Sequence, residues 1–313
     1  MNLSSDVLHL AAQLAAPAFF SLIATAGMGA LVLSLVSETT GLARGTAFPD
    51  KLAQQLSSMA MCFLAIACTA FAAGGVLLGR NLPWLTDWLF ASHSPALPFC
   101  LTWGVALLLT LLYRLTWKGM RNNKALHLVL GGAAALAAVA TIPAGVIIAP
   151  EFLAAFSSGI APENITPTLP LADSPVWPFT LQYLILGLAN GGGLGALYLI
   201  YRRHKDNYGR DYYNFALPFV VTGGVVFMFL QLAGPAWLLL GMNPEARSAL
   251  LASTLAPVLY AGVGAALLCC LLWLPVMRSA TPLRFKGLAV LGGLLAWGVQ
   301  LTALLLSLSL LAP

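Results

Sequence analysis

The sequence predicts an all-α polytopic membrane protein with eight transmembrane helices, arranged as two four-helix bundles with both termini outside. Composition is the first observation, because 60% of the residues are hydrophobic and 8% are charged, whereas a soluble domain has about 25% charged residues. The mean hydropathy of +0.88 agrees with this class. The second observation is a series of apolar stretches that each reach the length of about 20 residues needed to cross a bilayer.

The eight predicted spans follow one another with short connections and leave no stretch for a soluble domain. The first span has no basic segment before it and exceeds a signal-peptide hydrophobic region, so we expect it to be retained. We divide the chain into a first bundle at 1–150, an outer loop at 151–177 and a second bundle at 178–313. The spans lie at about 11–36, 53–79, 96–117, 126–149, 178–201, 213–240, 249–276 and 286–311.

The basic residues give the orientation of these spans. Cytoplasmic loops carry an excess of Lys and Arg, and only Arg80 and Arg247 fall in the other set of loops. This pattern predicts a multi-pass protein of a bacterial inner (cytoplasmic) membrane. The net charge of +5 then reflects topology, so we expect lipid as a partner and no nucleic acid. Thirteen of the fifteen basic residues lie after odd-numbered spans, namely Arg44, Lys51, Arg114, Lys118, Arg121, Lys124, Arg202, Arg203, Lys205, Arg210, Arg278, Arg284 and Lys286.

The glycines of the fifth span, "LQYLILGLANGGGLGALYLIYRRHK", invite comparison with a phosphate-binding loop. Such a loop follows a strand and opens a soluble helix, whereas these glycines lie in the middle of an apolar span. Gly187, Gly191 and Gly195 share one helix face, a pattern that lets two membrane helices approach closely. We therefore predict helix packing here, and the same packing at Gly74, Gly75, Gly223, Gly224, Gly262, Gly264, Gly292 and Gly293.

The outer connections carry aromatic and proline residues. Trp84 and Trp88 lie one helical turn apart in the segment 80–95, which we interpret as a short interfacial anchor. The prolines of 150–177 predict extended coil rather than another helix.

Ionisable residues inside a membrane are costly and usually functional. All ten carboxylates, Glu38 among them, fall in predicted loops or at span ends, and no Lys or Arg lies within a span. This pattern argues against a proton pump, an ion-coupled transporter or a voltage sensor.

The four histidines also lie near predicted span ends, His9 and His93 outside and His127 and His204 inside. We interpret them as polar residues at the membrane interface, with the alternative that His9 and His93 meet and hydrogen-bond a quinone carbonyl. No Cys-x-x-Cys-His motif for haem attachment is present. We predict no metal site.

Three segments resemble the quinol-oxidising subunit I of cytochrome bd oxidases in a diverged form, over its first eight helices. "AAPAFFSLIATAGMGALVLSLVSETTG" resembles the family's first helix and the turn after it. "PVWPFTLQYLILGLANGGGLGALYLIYRR" resembles the fifth helix, and "LAPVLYAGVGAALL" resembles the seventh. The resemblance implies paired four-helix bundles with an outward N-terminus.

The positions of the family's haem ligands and proton path hold other residues in this chain. By this matching, the first-helix histidine falls near Ala12, and no histidine lies in the fifth-helix segment from Phe179 to Tyr183. The resemblance therefore implies that this chain binds no haem and does not reduce oxygen. The other positions are Tyr260 for the seventh-helix methionine, Val258 for its neighbouring arginine, and Thr102 and Thr110 for the third-helix glutamates.

The function that we predict is a haem-free membrane subunit of a respiratory electron-transfer complex. It would anchor an outward-facing cytochrome or iron–sulfur partner and contact quinone, with the redox chemistry on cofactors elsewhere. It is at most a non-catalytic subunit of a quinone-linked oxidoreductase. The residues expected near quinone are His9, His93, Trp84, Gln182, Asn190 and Gln231.

Three alternatives stay open. The glutamine and asparagine side chains could instead bond to neighbouring helices, in a purely structural anchor without a ligand. Haem-free quinone-binding subunits of the polysulfide-reductase type also have a 4+4 arrangement. A channel or facilitator for a neutral solute fits the absence of charge within the spans, although no internal repeat is evident.

Overall fold

The structure, a computed structural model, describes residues 5–90, 94, 96–120, 122–158 and 169–311. The regular elements within those ranges are all helical, and a short 3-10 helix at Pro282–Phe285 precedes the last α-helix. The α-helices are α1 (Ser5–Arg44), α2 (Ala47–Asn81), α3 (Pro83–Phe90), α4 (Ala96–Leu115), α5 (Lys124–Ser158), α6 (Val176–Asp206), α7 (Arg210–Leu230), α8 (Ala233–Gly241), α9 (Pro244–Ala252), α10 (Ala256–Arg278) and α11 (Lys286–Leu311).

Eight segments within the described ranges are long and apolar enough to cross a membrane. Six of them are the single helices α1, α2, α4, α5, α6 and α10. The sixth span combines α7 with α8, and the eighth combines the 3-10 helix with α11. The predicted fold class, an all-α polytopic membrane protein with eight spans, is confirmed.

The helices pack in two groups of four around a central pair. Helix α1 contacts α2 and α5, and α4 contacts α5 and α2; in the second group α6 contacts α7 and α11, and α10 contacts both. Helices α1 and α6 join the groups, with α11 also against α1. The predicted domain boundaries stay a prediction.

Three segments differ from the sequence prediction. The sixth span is interrupted at Gln231 because Pro235 lacks an N–H, and its ring clashes with the carbonyl four residues earlier. The seventh span begins later than 249, since α9 is a separate helix whose first turn is capped by Asn243, which accepts from the Ala246 N–H at 2.7 Å. Helix α5 runs through Pro150 to Ser158, so the first part of the predicted coil is helical.

The close approach of α1 and α6 depends on three glycines. A Cβ on Gly29 would overlap the carbonyl oxygen of Gly187, and one on Gly191 would overlap the backbone of Gly29. The predicted packing role of the fifth-span glycines is confirmed at these contacts. The same packing role predicted for glycines of other spans is wrong at Gly74, Gly75 and Gly264, where a Cβ would meet nothing within 4 Å.

Candidate functional site

The bundle has two chemically different ends. We call the end where α1, α4, α6 and α10 finish the basic face, because the basic residues cluster there; it is the predicted cytoplasmic side. The other end, where α1 begins and α11 finishes, is called the opposite face. From the sequence, we expect the residues that contact quinone to lie near the opposite face or in mid-span.

The described residues among those predicted to contact quinone do not form one site. His9 is exposed on α1, and its ring Nε2 lies 3.0 Å from the side-chain nitrogen of Gln13. His93 lies outside the described residues, so its pairing with His9 stays a prediction. Trp84 lies on α3, beside a small apolar cluster formed with Leu85 and Trp88.

Gln182 and Gln231 are close to each other but leave almost no space. Both line a gap between α6, α8, α10 and α11 whose volume is about 10 Å³. A cavity of that size holds about one water at most. The buried Oε1 of Gln231 has no hydrogen-bond partner there. This gap does not accommodate a quinone ring.

Asn190 is the centre of a buried polar network between three helices. Its Nδ2 donates at 3.0 Å to Thr25 Oγ1 on α1 and at 3.0 Å to Gln300 Oε1 on α11. Gln300 Nε2 in turn donates to Ser21 Oγ at 2.8 Å. The network fixes α1, α6 and α11 relative to one another, and the Oδ1 of Asn190 is left without a partner.

A cavity of about 220 Å³ lies beside this network, where α1, α4, α5, α6 and α11 meet. We call it the junction cavity. Its polar lining comes from each of these helices, through Thr25, Trp103, Thr141, Tyr183 and Ser307. None of the described residues predicted to contact quinone lines this cavity, and Asn190 is connected to it only through its bond to Thr25.

The hydroxyl groups around the junction cavity already have partners. Thr25 donates to the Ser21 carbonyl at 2.9 Å, and Thr141 donates to the Ala138 carbonyl at 2.7 Å. Ser307 donates to the Leu304 carbonyl at 3.0 Å, so the Tyr183 hydroxyl donates to Ser307 Oγ at 3.0 Å.

The indole of Trp103 differs from these hydroxyls. Its Nε1–H is buried and has no hydrogen-bond partner, although a buried donor normally has one. Trp103 also lines a second and larger cavity of about 720 Å³ between α2, α3 and α4. We call that cavity the lipid-side groove, because it adjoins the exposed half of α2.

A cluster of ionisable side chains at the basic face was missed by the sequence prediction. Glu38 and His127 are each 3% exposed. The His127 Nδ1 lies 2.6 Å from Glu38 Oε1, and the Tyr113 hydroxyl donates to Glu38 Oε2 at 2.6 Å. The cluster ties α1, α4 and α5 together.

The hydrogen bonds of this cluster determine how many protons it holds. The carbonyl of Tyr113 can only accept, so His127 Nε2 carries a proton and donates to it at 3.0 Å. One further proton lies between Nδ1 and Glu38 Oε1. Whichever atom holds that proton, the pair is neutral as a whole, which is how both groups are accommodated in a buried site.

Two sequence interpretations are therefore wrong at this end. Glu38 was placed at a span end because the apolar run stops at residue 36, but α1 continues to Arg44 and buries it. His127 was interpreted as an interfacial side chain, yet its ring is enclosed, stacked on Tyr113 with centroids 4.6 Å apart and edge-on to Trp117 at 4.7 Å. A buried carboxylate and a buried histidine therefore lie within spans, so the expected lack of ionisable groups in the membrane no longer disfavours proton-linked transport.

A pocket of about 600 Å³ opens beside the cluster, between the ends of α1, α2, α4 and α5. Glu38 and His127 form part of its wall. A half-exposed ion pair between Lys124 and Asp50 lies across its rim. The pocket connects the buried pair with the solvent on the basic face.

The described histidines do not fit axial ligation of a buried haem. His127 has both ring nitrogens engaged, while His9 and His204 are exposed near opposite ends of the molecule. Haem held in a bundle normally uses a His or Met that faces it between helices. Because His93 lies outside the described residues, the absence of haem from this chain stays a prediction.

A scan against protein-family models and a search of curated protein sequences return no match. Among solved structures, the chain is similar to the bd oxidase from Geobacillus thermodenitrificans. The two share 14% sequence identity with a TM-score of 0.71, over 99% of this chain and 88% of that chain. At that identity the similarity shows the fold, and the predicted bd-oxidase-like fold is confirmed.

Proposed function

We propose that this chain is a haem-free integral membrane subunit of a respiratory electron-transfer complex in a bacterial inner membrane. It holds a cytochrome or iron–sulfur partner at the opposite face and contacts quinone from the bilayer. The observation that carries the proposal is the similarity of fold to a bd oxidase along 99% of the chain. In such a complex the redox chemistry belongs to cofactors of the partner subunits, and this chain supplies position and a binding surface.

The lipid-side groove supports the quinone contact. Its volume of about 720 Å³ lies within the range of about 300–1,000 Å³ that is typical of small-molecule sites. Its lining is apolar along Phe71, Val76 and Leu97, and it is polar at Arg80 and Thr86. An amphiphile with an isoprenoid tail and a polar ring matches this distribution.

The loop before α6 supports a protein partner at the opposite face. Leu169 and Leu171 are 79% and 77% exposed there, and Leu240 at the end of α8 is 77% exposed. Exposed apolar side chains at the end of a bundle suit a protein surface that covers them. Asp173 adds negative charge to the same loop, and no basic residue accompanies it between 151 and 175.

The test is purification of the native assembly in a mild detergent, followed by a visible spectrum, a subunit gel and solvent extraction of quinone. We expect co-purifying subunits that carry haem or an iron–sulfur cluster, and quinone in the extract. The same sample after removal of those subunits should be colourless.

Two results would contradict the proposal. A colourless protein without partner subunits would favour a channel or facilitator for a neutral solute. Haem bands that stay with this chain alone would show that the ligand assignment is wrong, and His9, His93 and His127 would then be the first residues to change.

A further inference from the structure

We infer that a pocket at the basic face binds the phosphate group of an anionic phospholipid, through three arginines that have no carboxylate partner among the described residues. The pocket has a volume of about 420 Å³ and lies where α6 ends, where α7 begins and where the 3-10 helix precedes α11. Its charged lining consists of Arg203, Arg210 and Arg284, and we call it the arginine pocket. The inference depends neither on quinone nor on a partner subunit.

The backbone holds the three arginines close to one another. Three residues connect α6 with α7, and two of them, Asn207 and Gly209, turn the chain with positive φ values of 39° and 85°. This turn places Arg203 and Arg210 in the wall of one pocket. The 3-10 helix, which packs against α7, adds Arg284. Three like charges gathered in this way repel one another unless an anion compensates them.

The carboxylates of the described residues do not supply that compensation. The pocket lining contains no Asp or Glu, and none of its arginines forms an ion pair with the rest of the described chain. Asp206, at the end of α6, already accepts two hydrogen bonds from Arg202, at 2.9 and 2.7 Å, and a third from Gln55. Asp211 is exposed and lies outside the lining. The compensating anion therefore has to come from a ligand.

The other polar groups of the arginine pocket suit a phosphate. The side chains of Asn207, Asn214 and Thr281 line it and form no hydrogen bond with another described residue. Helix α7 begins there at Gly209 without a side-chain cap, and the N–H groups of a first helical turn lack helical acceptors and favour an anion. Guanidinium groups donate in pairs to phosphate oxygens. The pocket thus offers many donors around a negatively charged, multi-oxygen group.

The position of the pocket favours a lipid as the source of the phosphate. Its three arginines lie within a few residues of the ends of the fifth, sixth and eighth spans, at the level of the headgroups. Leu283 in the wall and Phe285 beside it, which is 36% exposed, offer apolar surface to the first carbons of acyl chains. Basic pockets between transmembrane helices on the cytoplasmic side bind the headgroups of anionic lipids. A soluble phosphate compound has the same chemistry and is the other source to be distinguished.

The experiment titrates the delipidated native assembly with phosphatidylglycerol, phosphatidylcholine or inorganic phosphate and records the bound species by native mass spectrometry. Phosphatidylcholine carries a cation beside its phosphate, so it should bind about tenfold more weakly than phosphatidylglycerol. Arg203→Gln, Arg210→Gln and Arg284→Gln each remove one charge and should weaken phosphatidylglycerol binding by about five- to tenfold. Arg284→Lys keeps the charge but loses paired donation, so it should weaken binding by about threefold.

A matched control separates the pocket from the general positive charge of this face. Arg44→Gln removes the charge of an exposed arginine at the end of α1, on the same face but outside the pocket. It should bind phosphatidylglycerol as the unmodified assembly does. The three pocket arginines are also exposed, so their variants should retain the subunits and the elution volume of the native assembly in size-exclusion chromatography.

Three outcomes would overturn the inference. If Arg44→Gln weakens phosphatidylglycerol binding as much as the pocket variants do, the whole basic face attracts anionic lipid and the pocket is not a site. If the pocket variants bind phosphatidylglycerol as tightly as the unmodified assembly, the lipid binds elsewhere. If inorganic phosphate binds in an arginine-dependent way and phosphatidylglycerol does not, the ligand is a soluble phosphate compound and not a lipid. None of these results bears on the quinone contact or on the partner subunits.

Discussion

The Glu38–His127 cluster and the tryptophans of the opposite half bury polar groups in opposite ways. At the basic face, both oxygens of Glu38 and both ring nitrogens of His127 have partners within the cluster. Towards the opposite face, the indole nitrogens of Trp84, Trp88 and Trp103 are buried without partners. Burial is therefore not the property that distinguishes these two groups of residues.

The difference lies in what the buried groups bind. A buried polar network whose members satisfy one another contributes to stability and rigidity. A buried donor without a partner is unfavourable for folding, and a native structure that keeps one calls for an explanation such as a ligand. The Glu38–His127 cluster thus resembles a structural clamp, whereas the three indole N–H groups have no partner among the described residues.

The largest expected effect comes from removing the carboxylate of the clamp. Glu38→Ala leaves His127 and the Tyr113 hydroxyl buried without their acceptor, so we expect a loss of about 3–5 kcal/mol in the free energy of unfolding. Chemical unfolding in detergent measures it. Glu38→Gln keeps an acceptor oxygen and should lose less stability, and Asp87→Ala, at an exposed position of α3, should leave the midpoint unchanged. Equal midpoints for Glu38→Ala and the unmodified protein would show that the cluster is not a clamp.

A smaller effect is expected at the rim of the same pocket. The Lys124–Asp50 pair has side chains that are 32% and 31% exposed, and exposed ion pairs contribute about 0–1 kcal/mol. Asp50→Asn should therefore lower the free energy of unfolding by less than about 1 kcal/mol. Added salt should shrink that difference, whereas the effect of Glu38→Ala should persist. A salt-independent loss of several kcal/mol would place Asp50 in the buried clamp.

The smallest effect is expected in the opposite half. Trp88 is 7% exposed with an unpartnered N–H, so Trp88→Phe loses apolar contact but also removes an unsatisfied donor. The lost contact and the removed donor act in opposite directions, so the free energy of unfolding should stay within about 1 kcal/mol of its original value. Trp297→Phe is the matched control, because that indole donates to the Ala15 carbonyl at 3.1 Å, and it should lose more. A larger loss of stability for Trp88→Phe than for Trp297→Phe would show that the Trp88 N–H has a hydrogen-bond partner.

Hydropathy and charge were enough to predict the eight spans, since both are local properties of the sequence. The spacing of Gly187, Gly191 and Gly195 predicted the close contact with α1, because glycines four residues apart share a helix face. The break at Gln231 could also have been predicted, since Pro235 stands four residues after it.

Neither the Glu38–His127 cluster nor the junction cavity could be predicted from such local properties of the sequence. Glu38 and His127 are 89 residues apart, and they form a pair only because α1 packs on α5. The signal available in the sequence was the presence of both groups near the basic ends of their spans. The junction cavity depends on how five helices pack at once, so its lining residues could not be identified from any one segment of the sequence.

The contact between Gly29 and Gly187 has a consequence for how the chain is made. Its two glycines are about 160 residues apart in sequence, and ribosomes add about 5–20 residues per second. Helix α1 therefore waits in the membrane for about ten to thirty seconds before its partner α6 is synthesised. During that time the glycine face of α1 lacks the helix against which it packs in the folded protein.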